Sequence, residues 1–186
     1  MIFSASYDGH YARDLARGFQ DLKVKIGFIS LSGASKPSWL EGENVKDLSN
    51  NFDPHLSLIG KILKTMSIVR EFRPEVIQTH IFYGGIVGLI VGKLLRVPVV
   101  HTRHHIDEHY QSGTVFHRFL DRFIARHANH IVVCSEAAKK WLVEIEGQKE
   151  SQITVINQGF DFSFLKPSHE AIEKTKSDLQ FSGDKL

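Results

Sequence analysis

Residues 76–102 are VIQTHIFYGGIVGLIVGKLLRVPVVHT, and this stretch decides the fold. The apolar segments Val76–Thr79 and Val97–Thr102 lack a strict alternation of apolar and polar side chains, which is typical of strands covered on both faces. Between them, Gly84–Leu95 is predicted as a helix rich in small residues. A strand, a helix and a second strand in this order predict a parallel pair joined by a crossover helix.

The same alternation continues in both directions along the chain. Further strands are predicted at Met1–Ser4, Val24–Leu31, Asn44–Leu48, His130–Cys134 and Ile153–Ile156. Further helices are predicted at Tyr11–Leu22, Asp53–Phe72, Thr114–His127 and Ser135–Glu146. Asp53 is the predicted N-cap of the second of these helices, with Pro54 as its first residue, and Ser135 is the predicted N-cap of the last. The pattern predicts an α/β fold with a doubly wound, mostly parallel, Rossmann-like sheet and helices on both faces.

Composition excludes several classes of protein. The chain has 186 residues, of which 42% are hydrophobic and 24% charged, so it is predicted to bury a core of its own. A net charge of +2 argues against a dedicated nucleic-acid binder. No apolar stretch approaches the roughly 18 residues of a membrane span, and the first residues lack the pattern of a secretory signal. A single cysteine, Cys134, excludes an internal disulfide framework, and together these features predict a cytoplasmic protein.

Ligands of doubly wound sheets bind beyond the carboxyl ends of the strands. The residues predicted at this edge are Ser6–His10, His80–Gly85, Thr102–His109, Ser135 and Asn157–Asp161. Histidine is unusually frequent, since seven of the eleven histidines lie between His101 and His130, and three of these, His104, His105 and His109, fall at this edge. His80 ends one predicted strand, where it either lines a cleft or makes a structural hydrogen bond.

The histidine cluster at His101–His109 has three interpretations. A metal site is disfavoured because the spacing does not match His-Glu-x-x-His and Cys134 is the only thiol. Hydrogen bonding of a substrate by one or two histidines, led by His104, is the preferred interpretation. A solvated, histidine-rich loop is the alternative.

The first loop of the sheet has one feature of a phosphate site. Asp8-Gly9-His10 lies between the first predicted strand and helix, where a glycine lets backbone N–H groups approach an anion. A dinucleotide fingerprint has three glycines in this position, so a plain tight turn is an equal alternative.

Four segments in order resemble motifs of glycosyltransferase family 4. They are RPEVIQTH at 73–80, VPVVHTRH at 97–104, HIVVCSEAA at 130–138 and ITVINQGFD at 153–161, the last followed by Phe164 and Pro167. The resemblance implies one half of a GT-B architecture, in which two Rossmann-like domains face each other across a cleft. Residues 1–166 would be the N-terminal, acceptor-side domain. Residues 167–186 would be the interdomain linker and the start of a C-terminal domain.

The same resemblance implies a retaining transferase that moves a sugar from a nucleotide-sugar donor to a glycan or lipid-linked acceptor, as in cell-envelope polysaccharide synthesis. His104 corresponds to the family histidine that contacts the donor sugar near the reacting centre, and Gly9 and His10 correspond to the loop that approaches the donor diphosphate. His80, Arg103 and His105 are expected to line the acceptor cleft. No metal or other cofactor is expected, the C-terminal domain is the expected partner, and this chain alone is expected to be inactive. The alternative is a Rossmann-like binding or regulatory module without catalysis.

The segment Thr114–His127 predicts an amphipathic helix. Its apolar face consists of Val115, Phe116, Phe119, Leu120, Phe123 and Ile124, and Arg118, Arg122 and Arg126 follow at four-residue spacing. Such a helix either packs on the core with a solvated arginine stripe, which is the preferred interpretation, or lies on an anionic membrane surface. Peripheral contact with the inner face of a membrane is therefore a further expectation.

Overall fold

A seven-stranded parallel sheet forms the centre of the molecule. The computed structural model describes residues 2–4, 14–15, 18–19, 21–31, 45–49, 52–53, 55–104, 106, 114–157, 159 and 168–178. The strands are β1 (Ile2–Ser4), β2 (Ile26–Ser30), β3 (Val45–Asp47), β4 (Ile77–His80), β5 (Val99–Arg103), β6 (His130–Val133) and β7 (Ile153–Val155). Their order, β3-β2-β1-β4-β5-β6-β7, confirms the predicted doubly wound α/β sheet. Of the predicted site residues, Gly9, His10 and His105 lie outside the described residues.

Helices connect the strands by crossovers. The connecting helices are α1 (Leu58–Phe72), α2 (Ile81–Leu95), α3 (Val115–His127) and α4 (Glu136–Glu144). A further helix, α5 (His169–Asp178), follows β7, and a short 3-10 turn spans Glu150–Gln152. Residues 14–15, 18–19 and 21 are also helical. No helix in the described part of the chain is long and apolar enough to cross a membrane.

The two faces of the sheet have different coverings. On one face, α1 and α2 pack over β2, β4 and β5 around Ile29, Ile77 and Val99, while α3 and α4 pack over β6 and β7 around Ile131 and Val133. On the other face, a smaller cluster joins the helical residues Leu15 and Phe19 to β2 and β3. Helices thus lie on both faces, as predicted, because right-handed crossovers toward β3 and toward β7 leave opposite sides of the sheet.

Helix α2 packs against the sheet through glycines. A Cβ atom at Gly88 would meet the side chain of Thr79, and one at Gly85 would be 3.0 Å from Cε1 of His101. The small residues noticed in the sequence therefore bring this helix into close contact with β4 and β5, directly below their carboxyl ends.

Two predicted helix starts are wrong. Helix α1 begins after Ser57, whose side chain accepts a hydrogen bond from the Gly60 N–H, and Asp53 instead accepts from the His55 N–H in a turn before the helix. Helix α2 begins at Ile81 rather than at Gly84, because the chain passes from β4 into the helix without a loop. The predicted cap at Ser135 is confirmed by its hydrogen bond from the Ala138 N–H, at 3.2 Å.

Helix α3 does not have the core-packed apolar face that the sequence favours. Only Ile124 of that face is buried, whereas Val115, Phe116, Phe119 and Phe123 are 41 to 73% exposed. The helix is rotated so that Ile124, Ala125 and Asp121 face the protein. An aromatic ridge, defined here as Val115, Phe116, Phe119 and Phe123, therefore faces outward.

Candidate active site

The strand order reverses direction between β1 and β4, which lie side by side at the centre of the sheet. Crevices at such a switch point, beyond the carboxyl ends of the strands, are the usual ligand sites of open α/β sheets. His80 is the last residue of β4, His104 directly follows β5, and Cys134 directly follows β6. Three neighbouring parallel strands therefore bring these side chains to one edge.

His80 and His104 are in direct contact although 24 residues separate them. Nδ1 of His80 lies 3.1 Å from Nε2 of His104. The ring centroids are 5.4 Å apart, with an angle of 28° between the planes. His80 is buried and His104 is half-buried, so the second ring lies on the outer side of the pair. The structure thus brings together two of the predicted site residues.

Cys134 contacts the other ring nitrogen of His104. Its Sγ atom is 3.6 Å from Nδ1 of His104, and burial raises the pKa of the thiol, which keeps it protonated at neutral pH. The sequence prediction did not include Cys134 among the site residues. The strand register contains the signal, because Arg103 pairs with Val133 and the following residues therefore lie next to each other.

A second buried histidine lies on β5, three residues before His104. His101 is on β5, and its Nδ1 lies 2.9 Å from Oγ1 of Thr79 on β4. Burial, followed by the charges of Arg103 and His104, lowers the pKa of His101 to about 3. Burial, followed by the influence of His104 and His101, lowers the pKa of His80 to about 3 as well. Both inner histidines are therefore neutral at physiological pH.

Arg103 has its guanidinium in a buried ion-pair network. It bonds both carboxylate oxygens of Glu146 at 2.8 Å, contacts Asp121 at 2.8 Å and donates to the Ile106 carbonyl at 3.2 Å. The Trp141 indole N–H donates to the same Glu146 carboxylate. These contacts tie the end of β5 to α3 and to the residues after α4. A role of Arg103 in the acceptor cleft stays a prediction, and the contacts observed are those of a structural residue.

Metal-ligating side chains are not grouped at this edge in the part of the chain described. No set of three or more His, Cys, Asp or Glu residues there has an arrangement that could hold a metal ion. The described residues of this edge offer hydrogen bonding by histidine rings and a thiol.

A groove of about 560 Å³ crosses the face of the sheet opposite to α1 and α2. Its lining is mainly apolar and includes Phe19, Ile26, Val100 and Val132. His80 and His104 do not line it, although Gln78 and Val100, which do, precede them by two and four residues and so lie on the same face of the sheet. The groove therefore lies on the same face of the sheet as the two histidines and is lined by earlier residues of the same strands.

Comparisons with known proteins place the chain in a family. The sequence model of Glycosyltransferase Family 4 matches residues 9–164. A glycogen synthase of Mycobacterium tuberculosis is 25% identical over 108 residues, which are 55% of this chain and 26% of that protein. Anabaena HepE, solved in complex with UDP and glucose, is similar in fold with a TM-score of 0.67 and 18% identity, over 96% of this chain and 49% of that chain.

A sucrose-phosphate synthase structure from Thermosynechococcus elongatus has a TM-score of 0.64 and 13% identity, over 98% of this chain and 99% of that chain. The chain thus spans 26% of the glycogen synthase and 49% of HepE, but nearly all of this third protein chain. The likeness to solved structures establishes the fold, and the family match extends over most of the sequence. On that match, the chain belongs to glycosyltransferase family 4.

Proposed function

We propose that the chain is the acceptor-side domain of a retaining glycosyltransferase that uses a nucleotide sugar. The observation that carries the proposal is the meeting of His80 and His104 at the carboxyl edge of the sheet, next to the switch point, in a chain of this family. The binding of UDP and glucose by HepE supports a nucleotide-sugar donor. The acceptor would be a glycan or a lipid-linked sugar.

In this proposal His104 contacts the donor sugar near the reacting carbon. Its ring is half-buried on the outer side of the histidine pair, so a ligand above the edge can reach it. Sugar transfer through an oxocarbenium-like transition state depends on positioning and on fixed dipoles, which are more effective at a preorganised edge than in water. His104 would orient the sugar by a hydrogen bond, without taking or giving a proton. Gly9 and His10 would approach the diphosphate, and His105 would lie on the acceptor side.

The diphosphate of the donor would meet a favourable field at this edge. Helix α2 begins directly after β4, and α4 follows β6 after two residues, so the positive ends of both helix dipoles lie at the carboxyl edge. These N–H groups and a second domain would stabilise the leaving group without a metal ion. Residues 1–166 would form the domain, and residues 167–186 would lead to the second one.

The direct test uses the chain extended through the proposed second domain, with a panel of nucleotide sugars and candidate glycan or lipid-linked acceptors. Mass spectrometry is expected to detect one added sugar on one acceptor, and NMR is expected to find the anomeric configuration of the donor retained. Consumption of a nucleotide sugar without formation of a glycosylated acceptor would contradict the proposed transferase activity. An active transferase assay would exclude the alternative of a non-catalytic module, whereas a coding sequence that lacks a second domain would favour it.

We also propose that α3 contacts an anionic membrane at the inner, cytoplasmic face. The aromatic ridge is exposed, and Arg122 and Arg126 on the same helix are exposed beside it. Aromatic side chains enter the interface of a bilayer while arginines bind phosphate headgroups, so this combination fits a lipid surface better than water. Contact with a membrane would bring the domain to a lipid-linked acceptor.

Sedimentation with vesicles tests this surface. The chain is expected to sediment with vesicles that contain phosphatidylglycerol, and less with pure phosphatidylcholine. The double variant Arg122→Gln/Arg126→Gln should lose most of this binding, while Arg70→Gln/Arg96→Gln, with the same change of charge on exposed parts of the chain, should keep it. Equal binding by both double variants, or binding by none of the proteins, would contradict a lipid-binding role of α3.

A further inference from the structure

The contact between the two histidines assigns different roles to the two ring nitrogens of His104. Nε2 faces the buried His80 at 3.1 Å, while Nδ1 faces the thiol of Cys134 at 3.6 Å. We infer that His80 is a positioning residue, which binds Nε2 of His104 and leaves Nδ1 as the nitrogen that meets the ligand. This inference rests on the proposed function for the identity of the ligand, a sugar hydroxyl of the donor, but not for the geometry.

The strengths of the two contacts decide which nitrogen is available. A hydrogen bond between two ring nitrogens at 3.1 Å has ordinary length, and it is shielded from water because His80 is only 5% exposed. A thiol is a weak donor and a weak acceptor, and Cys134 is half-buried. A ligand hydroxyl therefore displaces the thiol more easily than the histidine.

The protonation of the pair follows from this arrangement. A hydrogen bond between two neutral imidazoles needs an N–H on one ring and a lone pair on the other. If Nδ1 of a neutral His104 donates to the sugar, Nε2 carries the lone pair. Nδ1 of His80 must then carry its proton and donate to Nε2 of His104. Burial lowers the pKa of His80 to about 3, so His80 has one N–H to give throughout the neutral range.

The backbone holds His80 in place for this role. His80 pairs with Thr102 as the last residue of β4, and it is also the N-cap of α2. The next residue, Ile81, has a φ angle of 53°, in the left-handed region that β-branched side chains rarely adopt. Strain of this kind persists where surrounding structure over-determines a conformation, and it is common beside functional residues. The strained turn after β4 thus holds His80 in position.

The inference has a spectroscopic test that needs no donor, acceptor or second domain. Long-range ¹H–¹⁵N correlation spectra of the chain report which nitrogen of each histidine ring carries the proton. At neutral pH, His104 is expected to be protonated on Nδ1. In His80→Phe, which keeps an aromatic ring but removes the donor, the proton is expected to move to Nε2, the form that prevails in a solvent-exposed histidine side chain.

Two further variants separate positioning from general disruption. His80→Asn presents an amide N–H at the same number of bonds from the backbone as Nδ1, and it is expected to restore the Nδ1–H form of His104. Thr79→Val removes the neighbouring bond to His101 on the same strand and should leave the His104 tautomer unchanged. Backbone amide spectra check that each variant is folded. A His104 protonated on Nε2 in the wild type, or a tautomer that His80→Phe does not alter, would overturn the inference.

A kinetic test uses the chain joined to the proposed second domain. His80→Phe is expected to lower kcat/KM about tenfold, the effect of one ordinary hydrogen bond, and His80→Asn to recover part of it. The two proposals fail in distinguishable ways. If no sugar is transferred but the tautomers behave as expected, only the proposed function is wrong. If transfer occurs and the tautomer of His104 does not depend on His80, only the positioning role is wrong.

Discussion

His104 joins its neighbours through both ring nitrogens, whereas Arg103, the preceding residue, turns to a buried network of carboxylates. Both residues were predicted for the same site because they belong to one motif. Which side chain reaches the edge depends on where the strand ends and on the register of β4 with β5, and neither is evident from the motif itself. The pairing of His80 with His104 was unpredictable for the same reason, although each was predicted separately.

Replacement of His104 by alanine is expected to reduce transfer by the proposed two-domain enzyme while the fold survives. Loss of one hydrogen bond to a charged transition state costs about 2–4 kcal/mol, which lowers kcat/KM by roughly two orders of magnitude. Steady-state kinetics of His104→Ala measure this loss. His127→Ala, which removes an exposed histidine from the end of α3, is the matched control. Unchanged kcat/KM in His104→Ala would exclude His104 from the reaction centre.

The Arg103 network makes a prediction about stability rather than activity. Glu146→Gln removes a fully buried carboxylate that bonds Arg103 at 2.8 Å, and breaking such a pair costs about 3–5 kcal/mol, less here because Asp121 still faces the guanidinium. Glu150→Gln is the same substitution at an exposed ion pair with Lys139 and should change stability little. Urea unfolding of the three proteins makes the comparison. Similar midpoints for the two variants would mean that the network is not a stabilising feature.

Helices and strands were predicted well where periodicity was long and poorly where a turn decided the boundary. The α3 helix was located correctly, but its orientation was not. Its apolar residues span an arc wide enough for either side to face the core, and the structure buries Ile124 and Ala125 instead of the aromatic ridge. The start of α1 was misplaced since Asp53-Pro54 and Ser57 are both plausible caps, and only the turn at His55 distinguishes them.

Replacement of glycine by alanine is expected to have opposite effects on stability at Gly88, in α2, and at Gly18, in the first helical segment. Gly88→Ala adds a methyl group that meets the side chain of Thr79, which is held by His101, and it should destabilise the chain by about 1–3 kcal/mol. Gly18→Ala has no atom within 4 Å and lies in a helical segment, so it should stabilise by about 0.5–1 kcal/mol. Thermal unfolding of both variants measures the signs. A Gly88→Ala protein as stable as the wild type would mean that α2 is not held by close packing.

For the whole molecule, the buried histidines predict that the free energy of unfolding falls in mild acid. The folded-state pKa values of His80 and His101 are lowered to about 3, below the value of 6.5 of an unperturbed histidine. The unfolded chain therefore binds more protons than the folded chain as the pH falls from 6.5 toward 3, and stability is highest above this range. Each histidine lowers the free energy of unfolding by up to about 1.4 kcal/mol per pH unit there.

Chemical denaturation between pH 7 and pH 5 measures this dependence. The slope of unfolding free energy against pH should be smaller in His101→Gln than in the wild type, because one group that titrates only on unfolding has been removed. An identical slope in the two proteins would show that His101 is charged in the folded state or already exposed.

The fold and family of the chain followed from sequence because parallel α/β sheets repeat one pattern many times, so a few misplaced ends do not change the topology. The site was harder to predict. Its second half would come from another domain, and its own loops at Gly9 and His10 lie outside the described residues. In the proposed transfer a sugar donor would need contacts from both domains, since positioning of two reactants contributes about 7–11 kcal/mol to such a reaction.

Release of nucleoside diphosphate from a panel of nucleotide sugars, in the presence of candidate acceptors, tests this two-part site most directly. Three samples are compared: this chain of 186 residues, the second domain, and the two joined in one polypeptide. The chain alone is expected to fold, as judged by a cooperative unfolding transition, and to release no more diphosphate than buffer does. The joined polypeptide should release it continuously and only when the matching acceptor is present. Sustained release by the chain alone, or none by the joined polypeptide with any donor, would contradict the assignment of this chain as the acceptor-side half of a glycosyltransferase.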